Sequence, residues 1–333
     1  MSQIIRVRSA ADLDGGELIP GAARLTSEQI ARDAPQETWI LRDTGGRLDA
    51  HASIWWQDAA VDGDRRIGWI GHYAARDLDD GRQLLQHVSA RLAAQGCTDA
   101  AGPADGGLWR PHGLVTERGT ERVFLFDLSH PEEWPQHFRA AGFTPAVEYV
   151  STAVDLSAEE PRLQRATQRM GALGVRLRRF RLARVDYEFK AMHTVLAAAT
   201  ASDPLASSMP VSRFLDFHRL LVAFLDPQHV ILAEHDNRLV GFVFSAPDIN
   251  ERAWGKPQRT LVVRTVATVP DRVFEGLDIV LRAEAHRIGR LAGFERAIYR
   301  CLPAAVASRP SPNGVWPGQP IRRYALFGRR VAQ

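Results

Sequence analysis

The chain has 333 residues, of which 45% are hydrophobic and 24% are charged, a composition typical of a globular protein rather than a disordered one. Its 42 basic and 39 acidic residues leave a formal charge of only +3, which does not favour nucleic acid as a partner. Its two cysteines belong to no CxxC spacing, which argues against a disulfide framework and a thiolate zinc site.

The sequence also argues against export and membrane insertion. The first residues, MSQIIRVRSAADLDGG, contain no apolar segment long enough for a secretory signal. The longest apolar runs, such as LLVAFL, are too short to span a bilayer. We therefore expect a cytoplasmic protein without membrane contact, either a monomer or a homodimer. Because the length exceeds the usual size of one core, we expect two domains.

The front half reads as an antiparallel meander followed by a helix. Strand-like runs at 38–43, 47–58 and 65–75 are separated by the turn signals TGG and DGD. The segment DDGRQLLQHVSARLAAQG then places apolar residues at helical spacing and ends in a glycine. The segment CTDAAG reads as a further strand.

The same order of elements returns later in the chain. Runs at 229–236, 238–248 and 258–269 predict a second meander, followed by a helix at 274–291 and the strand FERAIYRCL. The sequence predicts an α/β fold (an α+β mixed sheet) with two tandem domains, each a mostly antiparallel twisted sheet flanked by helices. The predicted bounds are 1–156 and 175–333, with a helical linker at 157–174.

This order of elements resembles the GNAT acyltransferase superfamily. The whole chain is similar to a bacterial group of tandem GNAT proteins in the segments IGHYAARD, GPADGGLW, GLVTERG, HFRAAGFTP, LVGFVFSAPD and PIRRYALFGRR. The resemblance implies an N-acyltransferase that moves an acyl group, typically acetyl, from acyl-CoA to an amine of a small molecule. Acetyl-CoA or another acyl-CoA would then be the co-substrate.

In this superfamily a loop of the form [QR]-x-x-G-x-[GA] joins the central strand to the helix. Its backbone N–H groups and the helix dipole hold the pyrophosphate of coenzyme A, and the preceding strand polarises the thioester carbonyl. In the second half Gly276 keeps the middle glycine, whereas Val273 and Asp278 depart from the pattern. The residues that the resemblance assigns to this acyl-CoA site are Val266, Ala267, Val269, Arg272, Val273, Phe274, Gly276, Leu277, Asp278 and Ser308.

The first half keeps part of the same loop. Arg76 matches the first position and Gly81 the last, while Asp79 replaces the middle glycine. An Asp in the first helical turn ordinarily stabilises the helix dipole, but the same carboxylate facing a pyrophosphate repels it. A working site and a vestigial one are therefore both open for each loop.

The proton donor of the superfamily, a Tyr on a helix after the fifth strand, has no clear match. Val306 replaces the expected Asn, and several prolines interrupt any long helix there. Tyr299 and Tyr324 are the neighbouring phenols and hence candidate donors, although a Tyr in RRYALFG also fits a packed strand residue. His72 and Glu117 are candidate bases. A buried strand histidine with satisfied hydrogen bonds is the alternative for His72.

The sequence leaves two alternatives to the transferase open. The chain has no P-loop and no dinucleotide fingerprint, and because it has neither HExxH nor a paired Cys/His spacing, metal catalysis is not indicated. The eroded loops allow a catalytically degenerate binding or scaffold protein. The arginine-rich run GVRLRRFRLARVD allows a carrier-protein or aminoacyl-tRNA donor, but its alternation also predicts a solvated strand face.

Overall fold

The computed structural model describes residues 2–13, 17–203, 205, 210–307 and 317–331. The strands are β1 (Gln3–Arg6), β2 (Glu37–Arg42), β3 (Leu48–Asp62), β4 (Arg65–Ala75), β5 (Asp99–Gly102), β6 (Leu114–Glu117), β7 (Thr144–Asp155), β8 (Arg176–Arg179), β9 (Val230–His235), β10 (Arg238–Pro247), β11 (Thr260–Thr268), β12 (Arg296–Pro303) and β13 (Gln319–Arg330). The helices are α1 (Ser27–Asp33), α2 (Leu78–Ala94), α3 (Trp134–Ala140), α4 (Leu163–Ala172), α5 (Val185–Thr200), α6 (Val211–Leu221), α7 (Ile249–Ala253), α8 (Leu277–Leu291) and α9 (Ala304–Ala307).

The strands form one continuous mixed sheet in the order β1-β2-β3-β4-β5-β13-β7-β12-β11-β10-β9-β8, and β6 pairs with β13. The pairs β4–β5 and β11–β12 are parallel, and the other pairs are antiparallel. Read from either end, the sheet is therefore a meander followed by a parallel pair. The predicted α/β fold class, two mostly antiparallel arrangements flanked by helices, is confirmed.

The last strand of each predicted half lies inside the sheet of the other half. β13 pairs with β5 and β7, and β7 pairs with β12 as well as with β13. The predicted bounds at 156 and 175 stay a prediction, and α4 falls within the predicted linker. The exchange of strands makes each half depend on the other for the hydrogen bonds of its sheet.

In the second half, helices cover both faces of the sheet. On one face α8 and α4 pack on an apolar cluster that includes Leu261, Val263 and Leu281. On the other face α5 and α6 cover a cluster that includes Phe242 and Phe244. A central strand covered on both sides needs apolar residues in succession, which explains the run TLVV in β11.

Two segments differ from the sequence predictions. Helices α5 and α6 were not predicted. The run at 174–186 is a strand only over β8, because Phe180 turns into the buried cluster under α5 and the helix begins at Val185. Within the described ranges, no helix combines the length and apolar character needed to cross a membrane.

Candidate active site

The parallel strands β11 and β12 are paired along only part of their length and then separate. Their pairing runs from Thr260–Arg296 to Val263–Tyr299 and then stops. β11 continues to Thr268 beside β10, with a register shift that leaves Arg264 in a bulge. The gap that opens beyond Val263 is the feature on which the candidate site is built.

On the α5–α6 face this gap opens into a cavity of about 490 Å³. That volume lies within the ~300–1,000 Å³ that small-molecule sites occupy. Its lining residues are Leu108, Trp109, Arg110, Pro111, His112, Phe126, Asp127, Met192, Leu196, Thr200, Asp203, Phe214, Phe217, His218, Leu220, Leu221, Phe242, Phe244, Arg264, Thr265, Arg300 and Cys301. A mainly apolar body with a few polar groups is what a small organic ligand requires.

Arg264 carries its charge among aromatic rings. Its guanidinium carbon lies 5.7, 5.6 and 5.8 Å from the ring centroids of Phe126, Phe217 and Phe244, within reach of cation–π attraction. Burial, and then the charge of Arg300, lower the pKa of Arg264 to about 9. The two cations therefore oppose one another in a site poor in water.

Arg300 and His218 complete the polar end of the cavity. Nε and Nη2 of Arg300 are buried without a hydrogen-bond partner in the described part of the chain. His218 Nδ1 lies 2.9 Å from the Phe214 carbonyl oxygen, and Nε2 lies 3.4 Å from Arg264 Nη1. Burial, and then the charge of Arg264, lower the pKa of His218 to about 3, so the imidazole is neutral near pH 7.

The predicted pyrophosphate loop leads into α8, as the resemblance implies. Gly276 precedes α8 with φ = 92°, a conformation that favours glycine. The N–H groups of Val273, Phe274 and Glu275 are already hydrogen-bonded within the 3-10 turn that contains Arg272. The first N–H groups of α8, beginning at Leu277, have no acceptor four residues earlier within the helix and are the ones suited to an anion.

Helix α4 lies against this helix start. A Cβ added to Gly276 would lie 3.3 Å from Ala166 Cβ. Arg169 donates to the Arg272 carbonyl oxygen at 2.6 Å and pairs with Glu275 at 3.4 Å. α4 therefore narrows the approach to the loop. Although these partners engage Arg169, its side chain is 44% exposed, against 12% for Arg76 in the first half, so it supplies an accessible positive charge that Val273, in place of Gln or Arg, does not.

Asp278, the acidic departure from the superfamily pattern, is paired within its own helix. Its Oδ2 lies 2.8 Å from Arg282 Nη1, one turn later. The carboxylate is partly exposed, so screening by solvent keeps the pair weak. Part of the repulsion expected between Asp278 and a bound diphosphate is thereby offset.

The main chain of β11 presents alternate N–H groups to the two sides. Val269 N–H donates to the Val240 carbonyl oxygen on the β10 side, so it is not available to polarise a thioester. Because N–H directions alternate along an antiparallel strand, Val266 and Thr268 point their N–H groups toward the gap. The Ala267 side chain packs under α5.

The four predicted catalytic side chains each have partners of their own. Their contacts are as follows: His72 with Asp33 and Ser53, both at 3.0 Å; Glu117 with Arg323 at 3.1 Å; Tyr299 with His286 at 2.6 Å; and Tyr324 with Asp127 at 2.7 Å and Ser151 at 3.0 Å. The assignment of catalytic roles to them stays a prediction. Ser308 lies outside the described residues.

In the first half the corresponding gap between β4 and β5 is filled by the chain itself. Ala104 N–H donates to the Ile70 carbonyl oxygen at 2.7 Å, and His72 N–H donates to Asp105 Oδ1 at 2.7 Å. A Cβ on Gly71 would lie 2.5 Å from the Ala104 carbonyl oxygen. The Ile70 carbonyl oxygen and the His72 N–H are therefore already hydrogen-bonded within the chain.

The loop before α2 is equally occupied. Arg76 donates to the carbonyl oxygens of Leu48 and Glu17. Any side chain at Gly81 would collide with Tyr73 and His137, which lie over the helix start. In the loop predicted to bind diphosphate in the first half, Arg76 is therefore already hydrogen-bonded, and Tyr73 and His137 cover the start of α2.

Sequence reasoning missed the charged end of the cavity. Arg264 and Arg300 each stand within an apolar strand, in TLVVRTVATV and AIYRCL. A charge inside a strand that is otherwise buried is a signal for a functional group, because burial of an unpaired charge is costly. No cluster of three or more His, Cys, Asp or Glu suited to a metal ion occurs among the described residues.

Several solved structures share this fold at low sequence identity. A protein from Enterococcus faecalis V583, described as a probable N-acyltransferase, is 13% identical with a TM-score of 0.59, over 99% of this chain and 73% of that one. Eis1 from Mycobacterium abscessus is 14% identical with a TM-score of 0.54, over 99% and 74% of the two chains.

A third similar structure is the GCN5-related glucosamine N-acetyltransferase region of a fungal multi-domain GH3 beta-N-acetylglucosaminidase. It is 14% identical with a TM-score of 0.53 over 99% of this chain, which spans only 38% of that one. No family model and no curated protein matches the sequence. The chain therefore has the fold of the GCN5-related N-acetyltransferases, and the expected GNAT fold is confirmed.

Proposed function

We propose that this protein transfers an acyl group from acyl-CoA to an amine of a small molecule, and that the transfer takes place in the second half. The observation that carries the proposal is the gap between β11 and β12, which opens into the 490 Å³ cavity. The same strand leads to the free N–H groups at the start of α8. Donor and acceptor would meet in the gap from opposite faces of the sheet.

The proposed reaction needs polarisation of a thioester carbonyl and an unprotonated amine. The amine nitrogen forms a bond to the carbonyl carbon, the C–S bond breaks, and the departing thiolate takes up the proton that the amine loses. The N–H groups of Val266 and Thr268 face the gap and would stabilise negative charge on the carbonyl oxygen. The start of α8 and Arg169 would hold the diphosphate.

Titration calorimetry with acetyl-CoA, followed by mass spectrometry of reactions with a panel of amines, tests the proposal. We expect Arg169→Ala to weaken acetyl-CoA binding by about threefold to tenfold, because a charge-assisted contact to phosphate is lost. Arg252→Ala, at an exposed arginine on α7, is the matched control and should bind as the wild type does. Absence of binding to acetyl-CoA and to short acyl-CoAs would reject the proposal.

A binding protein without catalysis is the second candidate, favoured by the position of α4. With Ala166 against Gly276, the helix start is narrower than an open loop would be. In that case the cavity would take up a ligand while acetyl-CoA produced no heat of binding and no amine was acylated. The same two measurements therefore separate the candidates.

A further inference from the structure

The cavity joins apolar walls to a positive charge that the described chain does not neutralise. Aromatic rings of Phe126, Phe214 and Phe244 line it. Arg264 and Arg300 stand at the end where β11 and β12 part, and within the described ranges neither forms an ion pair with a carboxylate. A desolvated guanidinium without a counter-charge is costly, so a ligand that supplies the charge would be favoured.

The acidic groups nearby are engaged elsewhere or lie at the rim. Asp127 is paired with Arg322 and is fully buried. Asp203 is exposed at the rim of the cavity, next to solvent. Arg110, a third cation of the lining, is paired with Asp33 at 2.8 Å. The charge left uncompensated at the gap is therefore positive.

Deepening the proposed function, on which this inference rests, we propose that the acceptor is an α-amino acid with a large apolar side chain. Arg300 and Arg264 would bind its carboxylate, and the aromatic walls would bind its side chain. Nε–H and Nη2–H of Arg300, the two groups without a partner, form one edge of the guanidinium. That edge matches the two oxygens of a carboxylate, and no described hydrogen bond prevents it from turning toward the cavity.

The position of the two arginines sets the distance between the carboxylate and the reacting amine. Arg264 is in the bulge at the parting of the strands, and Arg300 follows Tyr299, the last residue of the parallel pairing. This is also where the proposed transfer occurs. The carboxylate must then be within a few bonds of the amine, and an α-amino acid meets that condition.

Titration calorimetry with four probes separates the contributions of charge, amine and apolar body. The probes are L-phenylalanine, L-phenylalaninamide, 3-phenylpropionate and 2-phenylethylamine. We expect the two probes that carry a carboxylate to bind at least about tenfold more tightly than the two that lack one, because a two-point ion pair is formed in a buried site. Equal affinity of L-phenylalanine and L-phenylalaninamide would overturn the inference.

Substitution of the two arginines tests whether they cause the preference for ligands with a carboxylate. Arg300→Gln and Arg264→Gln should each reduce the preference for carboxylates to less than about threefold, while the exposed Arg252→Gln leaves it unchanged. Thermal unfolding reports on folding, and Arg300→Gln should not lower the unfolding temperature because no ion pair within the described residues is lost. A preference that survives in both folded variants would contradict the inference. If neither variant folds, the comparison of acid and amide in the wild type decides.

The outcomes distinguish this inference from the proposed function. Carboxylate binding without any acyl transfer would reject the transferase and leave the arginine site in place. Acylation of amines without a carboxylate, with equal affinity for acid and amide, would reject the α-amino acid and leave the transferase in place.

Discussion

The central strands of the two halves bulge at comparable places, and the side chains at the two bulges have opposite surroundings. His72, at the bulge of β4, has both ring nitrogens hydrogen-bonded, to Asp33 and Ser53. Arg264, at the bulge of β11, has three aromatic rings and one 3.4 Å contact with a neutral histidine. The hydrogen bonds of His72 are made within the chain, whereas Arg264 has no carboxylate partner among the described residues.

The two gaps differ in whether the chain itself closes them. In the first half Asp105 and the Ala104 main chain close the gap with hydrogen bonds. In the second half the gap leads to a cavity and the charge is left unpaired, an arrangement that lowers stability unless a ligand compensates it. We therefore propose that a single site is active and that the first half supports it through the exchanged strands β7 and β13.

The largest effect should follow from forcing the closed gap apart. Gly71→Val places branched atoms against the Asp105 carboxylate and 2.5 Å from the Ala104 carbonyl oxygen. We expect the free energy of unfolding, measured by urea denaturation, to fall by about 3 kcal/mol, the upper part of the usual range for overpacking. Gly171→Ala, in α4 with nothing within 4 Å of the added Cβ, is the control and should not destabilise.

If Gly71→Val were as stable as the wild type, the segment with Ala104 and Asp105 would be able to move away from β4. The gap in the first half could then open as the gap in the second half does. The comparison between a closed and an open gap would lose its basis.

The ion pairs around Asp33 should make the closed half sensitive to acid. Burial by itself raises the pKa of Asp33, but hydrogen bonds from His72 and Arg32 and the charge of Arg110 outweigh it and lower the pKa to about 2. Because the folded pKa lies below the ordinary 3.8, the stabilisation is complete above about pH 4 and is lost as the pH falls toward 2. This contribution amounts to about 2 kcal/mol.

Urea denaturation of the wild type and Asp33→Asn between pH 7 and pH 2 measures that contribution. The variant should be less stable by about 2 kcal/mol at pH 7, and the difference should narrow as the pH approaches 2. A difference that stayed constant over this interval would mean that the Asp33 carboxylate is not the group that titrates.

Much of the fold could be predicted because the local pattern carries it. The run at 65–75 is β4 residue for residue, and α8 lies within the predicted 274–291. The exchange of β7 and β13 could not be predicted, because strand pairing over more than a hundred residues leaves no periodicity in either strand. α5 and α6 were missed although their apolar residues, such as Phe189 and Met192, recur at helical spacing.

The resemblance pointed to a loop and gave no indication of the charged cavity. The resemblance directed attention to the loop before α8, where Gly276 does take the left-handed conformation. It gave no reason to examine Arg264 and Arg300, since their meaning depends on the absence of a carboxylate across the cavity, which only the three-dimensional packing reveals. His72 is the opposite case. Its side chain is a typical catalytic base, but both ring nitrogens are hydrogen-bonded within the protein.

Tyr299 and Tyr324, the candidate proton donors, should affect stability more than catalysis. Burial raises the pKa of Tyr299 above its ordinary value and that of Tyr324 to about 12, which makes each phenol a weaker acid. Tyr299→Phe and Tyr324→Phe should each cost about 1–2 kcal/mol in urea denaturation, because His286 and Asp127 lose a hydrogen-bond partner. A loss of kcat of about a hundredfold with KM unchanged, in either variant, would identify that residue as the proton donor after all.

The smallest effect should come from Asp278, the residue that departs most from the superfamily loop. With Arg282 at 2.8 Å, its carboxylate is partly neutralised, so removing the charge relieves only part of the repulsion of a diphosphate. We expect Asp278→Asn to tighten acetyl-CoA binding by about twofold to fivefold at low salt, an effect that weakens as added salt screens the charges. Arg282→Gln should do the reverse, because it leaves the carboxylate unpaired beside the diphosphate. If both variants changed affinity in the same direction, the diphosphate would bind away from the start of α8, and the gap between β11 and β12 would have to receive its donor from elsewhere.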